Sequence, residues 1–188
     1  MATTRFEWDE LNLIREEAVR VMNLPAEERQ KPETKRRFCD YLEFVLCLVY
    51  GYGWKDAEKI VGTVPMPDGL DDKTVNLDIA HSTWRQRAEE WLDHGTAADM
   101  LRLIDTESVR DYSTGVTDAG KASGIPGLKK RWNTQLDWRV RDAHMELEGV
   151  TVGIDDLFYT DMDSAYGPGG FEDPALNVNC RCWLSLAR

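Results

Sequence analysis

Apolar residues along this chain follow a helical period up to the Gly- and Pro-bearing run KASGIPG, residues 121–127, and a strand-like alternation closes the sequence. That one change of period limits the fold to a mixed class, helices first and short strands after. Leu11, Ile14, Ala18, Val21 and Met22 mark a first helix. Pro25 and Pro32 bracket a polar break. Phe38, Tyr41, Leu42, Val45, Leu46 and Val49 mark a second helix, which Gly51 and Gly53 are expected to end, with residues 56–62 adding a turn or two. A third is predicted from about Lys73 to Asp93, stopped by His94-Gly95. Thr96, with Asp99 three residues on, is a candidate N-cap for a fourth, running through Met100, Leu103, Ile104 and Val109 and ending between Tyr112 and Gly120.

Beyond the change of period, LKKRWNTQL has strand preferences, and Val140 to Leu147 fits two helical turns closed by a left-handed Gly149. VTV is a short strand, residues 153–179 form an ordered loop, and CRCWLSLA returns as a strand with Cys180, Cys182, Leu184 and Leu186 on one face. The expected class is α+β. A mostly helical N-terminal region, residues 1–95, precedes a small domain, 96–188, of short strands, one short helix and a long ordered loop.

Composition narrows the function classes. No apolar run approaches the ~20 residues a membrane helix needs, and the first ten residues lack the apolar core of a secretory signal. The expectation is a protein made in a cytoplasm, with no membrane partner. Four cysteines in 188 residues do not make a disulfide framework, and Cys180 and Cys182 are too close for an unstrained mutual bridge. A net charge of −11 argues against general DNA coating. The charge is uneven: residues 129–141 hold five Lys/Arg and one acid, whereas 142–179 hold nine acids and no Lys or Arg. Pairing between these two segments, or with neighbouring subunits, is the simplest use of that asymmetry.

The richest stretch is KKRWNTQLDWRVRDAHMELEG. It sets Trp132, Asp137, Arg139, Arg141, Asp142, His144 and Gly149 in a fixed spacing, followed by the acidic loop and then Asn179-Cys180-Arg181-Cys182. Together these resemble the phage Mu F-like, or phage head morphogenesis, domain of minor head proteins in tailed bacteriophages, over roughly residues 106–186. The resemblance implies a virion component in a multi-protein assembly, acting near the portal, with the portal or the major capsid protein as partner and host cytoplasm as the place of assembly. The amphipathic N-terminal helices suit docking on such a partner, or packing on their own domain.

The residues themselves leave several roles open. Trp132 and Val140 are core candidates. Asp137 is expected to cap the short helix or to pair with Arg139 or Arg141. His144, Cys180 and Cys182 are all good Zn²⁺ ligands and flank one loop. Relatives of this kind carry cysteines near the place of Arg141, which cannot ligate zinc, so a fourth ligand would fall to Asp142, Asp137 or water. The alternative is a buried, hydrogen-bonded His144 beside two core thiols. A nucleophilic Cys–His pair lacks any visible oxyanion hole. Glu146-x-Glu148 resembles the acidic motif of ADP-ribosyltransferases without their upstream elements. Asp155, Asp156, Asp161 and Asp163 lack the spacing of a calcium loop. Lys129, Lys130 and Arg131, with Trp132 and Trp138, are candidates for nucleic-acid contact. A structural role is the leading reading. The alternatives are a metal-dependent nuclease or hydrolase, and a DNA-contacting accessory of the phage head.

Overall fold

The computed structural model describes residues 8–70, 75 and 82–188. Among the described residues the helical elements with defined bounds come first: α1 (Asp9–Met22), α2 (Ala26–Arg29), α3 (Pro32–Val61), α4 (Trp84–His94) and α5 (Ala97–Ala122). A small α+β unit follows: β1 (Lys129–Asn133), α6 (Asp142–Met145), β2 (Thr151–Gly153), β3 (Phe158–Tyr159), β4 (Ser164–Ala165), α7 (Pro174–Asn177) and β5 (Trp183–Ala187). The class is the mixed α+β one read from the change of period.

The helix starts follow local chemistry. Thr96 accepts from the Asp99 backbone N–H while Asp99 accepts from that of Thr96, the reciprocal cap its spacing predicts. Thr83 and Gln86 repeat the device at the start of α4. Within the third predicted helix Val75 is helical and α4 begins at Trp84, with Ser82 and Thr83 outside it, while 73–74 and 76–81 lie outside the described residues.

The second predicted helix does not stop at its glycines; α3 continues unbroken to Val61. Those glycines lie where α3 and α5 cross. A Cβ on Gly53 would come 2.1 Å from the Tyr112 carbonyl oxygen, and one on Gly115 would come 2.1 Å from that of Tyr50. Around this contact the Tyr50 hydroxyl donates to Asp118 (3.0 Å) and the Tyr112 hydroxyl to Asp56 (2.6 Å). Tyr-x-x-Gly-x-x-Asp therefore occurs once in each helix, at 50–56 and at 112–118, and the two copies grip each other reciprocally. Close approach at the crossing, not chain reversal, requires the glycines.

The sheet has the order β2-β1-β5, antiparallel throughout, with Lys130 opposite Val152 and Leu186, and Trp132 opposite Leu184. One face covers the C-terminal part of α5, where a Cβ on Gly120 would meet Ile154 and Leu186. One hydrophobic core runs from Leu11 of α1 through α3 and α5 to Leu186 of β5. The segment expected as a plain loop, 153–179, also contains the β3–β4 hairpin and the one-turn helix α7.

Candidate metal centre

His144 comes from a single helical turn. Arg141 precedes that turn in extended backbone, and Leu147 to Gly149 close it, with Gly149 at φ +75°. There the Gly149 N–H donates to the Trp132 carbonyl (2.9 Å) and the Trp132 N–H to that of Val150 (3.0 Å). These two bonds fasten the turn beneath β1 and bring His144 under the Trp132 ring. The ring centroids stand 5.5 Å apart, edge to face. Phe171 stacks on the imidazole at 5.6 Å and also packs on Trp132 at 5.8 Å, so the three rings form one triangular cluster. Phe171 is held there by Asn177, whose side chain accepts from the Phe171 N–H and donates to its carbonyl.

Cys180 and Cys182 arrive from the opposite side, on the approach to β5. The strand-like alternation predicted for this run is present: Cys180, Cys182, Leu184 and Leu186 all point into the core. Between the thiols, Arg181 turns outward and grips Asp137 with two hydrogen bonds of 2.7 and 2.5 Å. Asp137 also accepts from the Arg139 backbone N–H two residues on, which closes a local turn and leaves the short helix α6 without a side-chain cap, contrary to expectation; its cation is Arg181 in place of Arg139 or Arg141. The hydrogen bonds from Arg181 hold the Asp137 carboxyl down to about 2. The Arg141 guanidinium donates to the Val178 carbonyl, pinning the strand approach to the turn. Asn179 supplies the bend, with φ +58°.

The result is a closed cluster. His144 Nδ1 lies 3.6 Å from the Cys180 sulfur and 3.6 Å from the Cys182 sulfur, and all three side chains are buried. All three candidate ligand atoms lie within 4.8 Å of one another, and the four cysteines are free thiols. A hydrogen bond from the Cys182 thiol holds the Cys180 thiol below its ordinary range, against the effect of burial; the same contact and burial push Cys182 up. His144 Nε2 sits in the aromatic surround with no hydrogen-bond partner among the described residues. Chemically, the donor set is two sulfurs and one imidazole nitrogen, the combination zinc prefers. Asp142 and Asp137 are not part of it, so the described residues supply no fourth side-chain ligand.

The other candidates are dispersed. Lys129 and Arg131 point outward from β1, whereas Lys130 points inward and is fully buried, so the three do not form one basic surface. Trp132 is buried with it, while Trp138 is 87% exposed. Asp155 pairs with Lys121 (3.0 Å), Asp156 accepts from the Gly153 N–H, and Asp163 accepts from Ser164 and Asp173. These acids serve turns and an ion pair, and do not converge. Glu148 accepts from the Thr134 N–H (2.6 Å).

One feature was missed from the sequence. A cavity of about 490 Å³ opens between α4, α5 and α7, lined by Arg87, Trp91, Glu107, Arg110, Asn177 and Val178 among others. Arg87 and Arg110 both pair with the buried Glu107. Asp111 behind them is fully enclosed, and its burial pushes the carboxyl well above the usual range. The signal was Glu107, Arg110 and Asp111 occupying the same helical stripe as Leu103. His144 and the two thiols do not line this cavity.

The fold and site define a class: a small α+β protein in which a three-stranded sheet, a helical turn and a cysteine-bearing strand meet in one buried cluster. The chain belongs to the phage Mu protein F-like family, whose model matches residues 79–185 and so covers α4 and α5 and runs through β1 into β5. Membership connects it with bacteriophage head morphogenesis. It is also 35% identical over 98 residues to the NAD(+)--arginine ADP-ribosyltransferase EFV of Enterococcus faecalis, a match covering 49% of this chain and 20% of that protein. The chain thus spans about a fifth of that relative. No solved structure matches.

Proposed function

We propose that this protein is a minor head protein of a bacteriophage or prophage, assisting head assembly at or near the portal in a structural capacity. The observation that carries the reading is the closed arrangement of the family motif. Trp132, His144, Cys180 and Cys182 face one another in a core, and Arg181 and Asp137 clasp its outer edge. Residues so used hold backbone segments together; they do not present a reacting atom to a substrate. No described helix is long and apolar enough to cross a membrane. The outward surface, acidic overall at −11, suits contact with basic or mixed protein surfaces better than wrapping of nucleic acid. On this reading the partner is the portal or the major capsid protein, and the mature location is the virion.

The nuclease or hydrolase alternative needs solvent access at His144, and it is tested by assaying cleavage of DNA with and without a chelator. The structural reading is tested in particles. Mass spectrometry of purified heads should find the protein at a small fraction of the major capsid protein, cross-linked to the portal. Absence from both immature and filled heads would overturn it.

A further inference from the structure

We infer that His144, Cys180 and Cys182 bind one Zn²⁺ ion, which holds the α6 turn to the approach of β5. The inference does not rest on the head-assembly reading. It rests on distance first. A tetrahedral zinc with Zn–S of about 2.3 Å and Zn–N of about 2.0 Å sets each sulfur about 3.6 Å from the nitrogen. His144 Nδ1 stands 3.6 Å from both sulfurs. A lone imidazole nitrogen carries one proton or one lone pair, so it can satisfy one thiol well but not two equally. A metal at the point common to all three atoms is bound by all three.

Charge gives a second argument. A buried cation must be matched, and two thiolates with a neutral imidazole leave a Zn²⁺ centre without net charge. Loading the site releases two thiol protons to solvent, one from each cysteine, and forms two Zn–S bonds and one Zn–N bond. The surroundings are consistent with a structural ion. The three side chains are 1–2% exposed and enclosed by Trp132 and Phe171. None of the described Asp or Glu side chains completes the set, and a hard-oxygen cation such as Ca²⁺ or Mg²⁺ would not choose these donors. Zinc would tie the α6 turn to the start of β5 across 36 residues of chain whose own regular pairing is a two-residue hairpin. Closing a loop of that length is where a cross-link stabilises most.

The test uses the full chain, purified under reducing conditions after expression in zinc-supplemented medium. Elemental analysis should give about one zinc per chain. Cobalt added to chelator-stripped protein should give thiolate-to-cobalt charge transfer and intense tetrahedral d–d bands. His144→Ala and Cys182→Ser should abolish both signals, and Cys47→Ala should retain them. If the two site variants fold poorly, the stripped wild type decides: zinc should raise its melting temperature and shield about two thiols from alkylation. A reduced, folded wild type that retains little zinc and gives no cobalt spectrum overturns the inference. That outcome would leave the abundance of the protein in heads untouched, so failure here and failure of the assembly reading can be told apart.

Discussion

Lys130 places an ammonium group on the inward face of β1, 5.1 Å from the Tyr166 ring and 5.8 Å from that of Phe158. Burial pulls its pKa down from 10.5 to about 8, and the charge of Lys121 adds to the fall. The sign follows from linkage. Below about 8 both states carry the proton, so the native state bears the full penalty; between about 8 and 10.5 only the unfolded chain holds it, and stability rises with pH. Lys130→Met should therefore stabilise the protein by about 1 kcal/mol at neutral pH, after the ring contacts it loses are subtracted. That advantage should shrink in alkaline buffer, as urea denaturation at both pH values would read. Asp137 works in the opposite sense. Its carboxyl is held at about 2, so its support is complete above its ordinary value of 3.8 and fades as pH falls through 2. Asp137→Asn should melt earlier than the parent at neutral pH and converge with it in strong acid. Equal melting at neutral pH would mean that Arg181 finds another partner.

Two helices meeting through Tyr-x-x-Gly-x-x-Asp set the element scale. Each glycine accommodates the other helix's tyrosine carbonyl, and each tyrosine hydroxyl reaches the other's aspartate. The arrangement leaves no room for a methyl group. Gly115→Ala must push α3 and α5 apart, and overpacking against backbone cannot be relieved by a rotamer change. A loss of roughly 3 kcal/mol is expected, visible as a lower urea midpoint with an unchanged slope. Gly51→Ala, where an added Cβ would meet only the Met66 sulfur at 3.9 Å, should be nearly neutral or slightly favourable, because alanine suits a helix better. The contrast between a glycine at the crossing and one away from it tests the crossing, not general glycine chemistry.

For the molecule as a whole, β5 is the closing piece. It pairs along all of β1 and covers α5, and its approach carries both thiols. Deleting residues 183–188 should abolish cooperative unfolding, because it bares the β1 edge and apolar surface on α5 together. Near-ultraviolet circular dichroism, which reads the ordered tryptophans, should collapse while far-ultraviolet helical signal persists in part. A truncated chain with a sharp, full-amplitude transition would show that the helices fold without the sheet.

The helix-to-strand order, the Thr96–Asp99 cap, the left-handed Gly149 and the inward alternation of Cys180 to Leu186 were all legible in the sequence, because each depends on spacing within a few residues. The meeting of His144 with the two thiols was legible as one of two alternatives, from three zinc-type ligands flanking one loop, but the loop closure that joins them is tertiary. The continuation of α3 through Gly53, the choice of Arg181 as the cation for Asp137, the burial of Lys130 and the charged cavity beside Glu107 were decided by the tertiary structure. In each of these the deciding contact comes from a distant part of the chain: Tyr112 against Gly53, Arg181 against Asp137, Tyr166 against Lys130, and Asn177 and Val178 beside Glu107. Local periodicity records which face of an element is apolar, but not which partner that face will meet, and here the partner determined whether a glycine ends a helix or seats one.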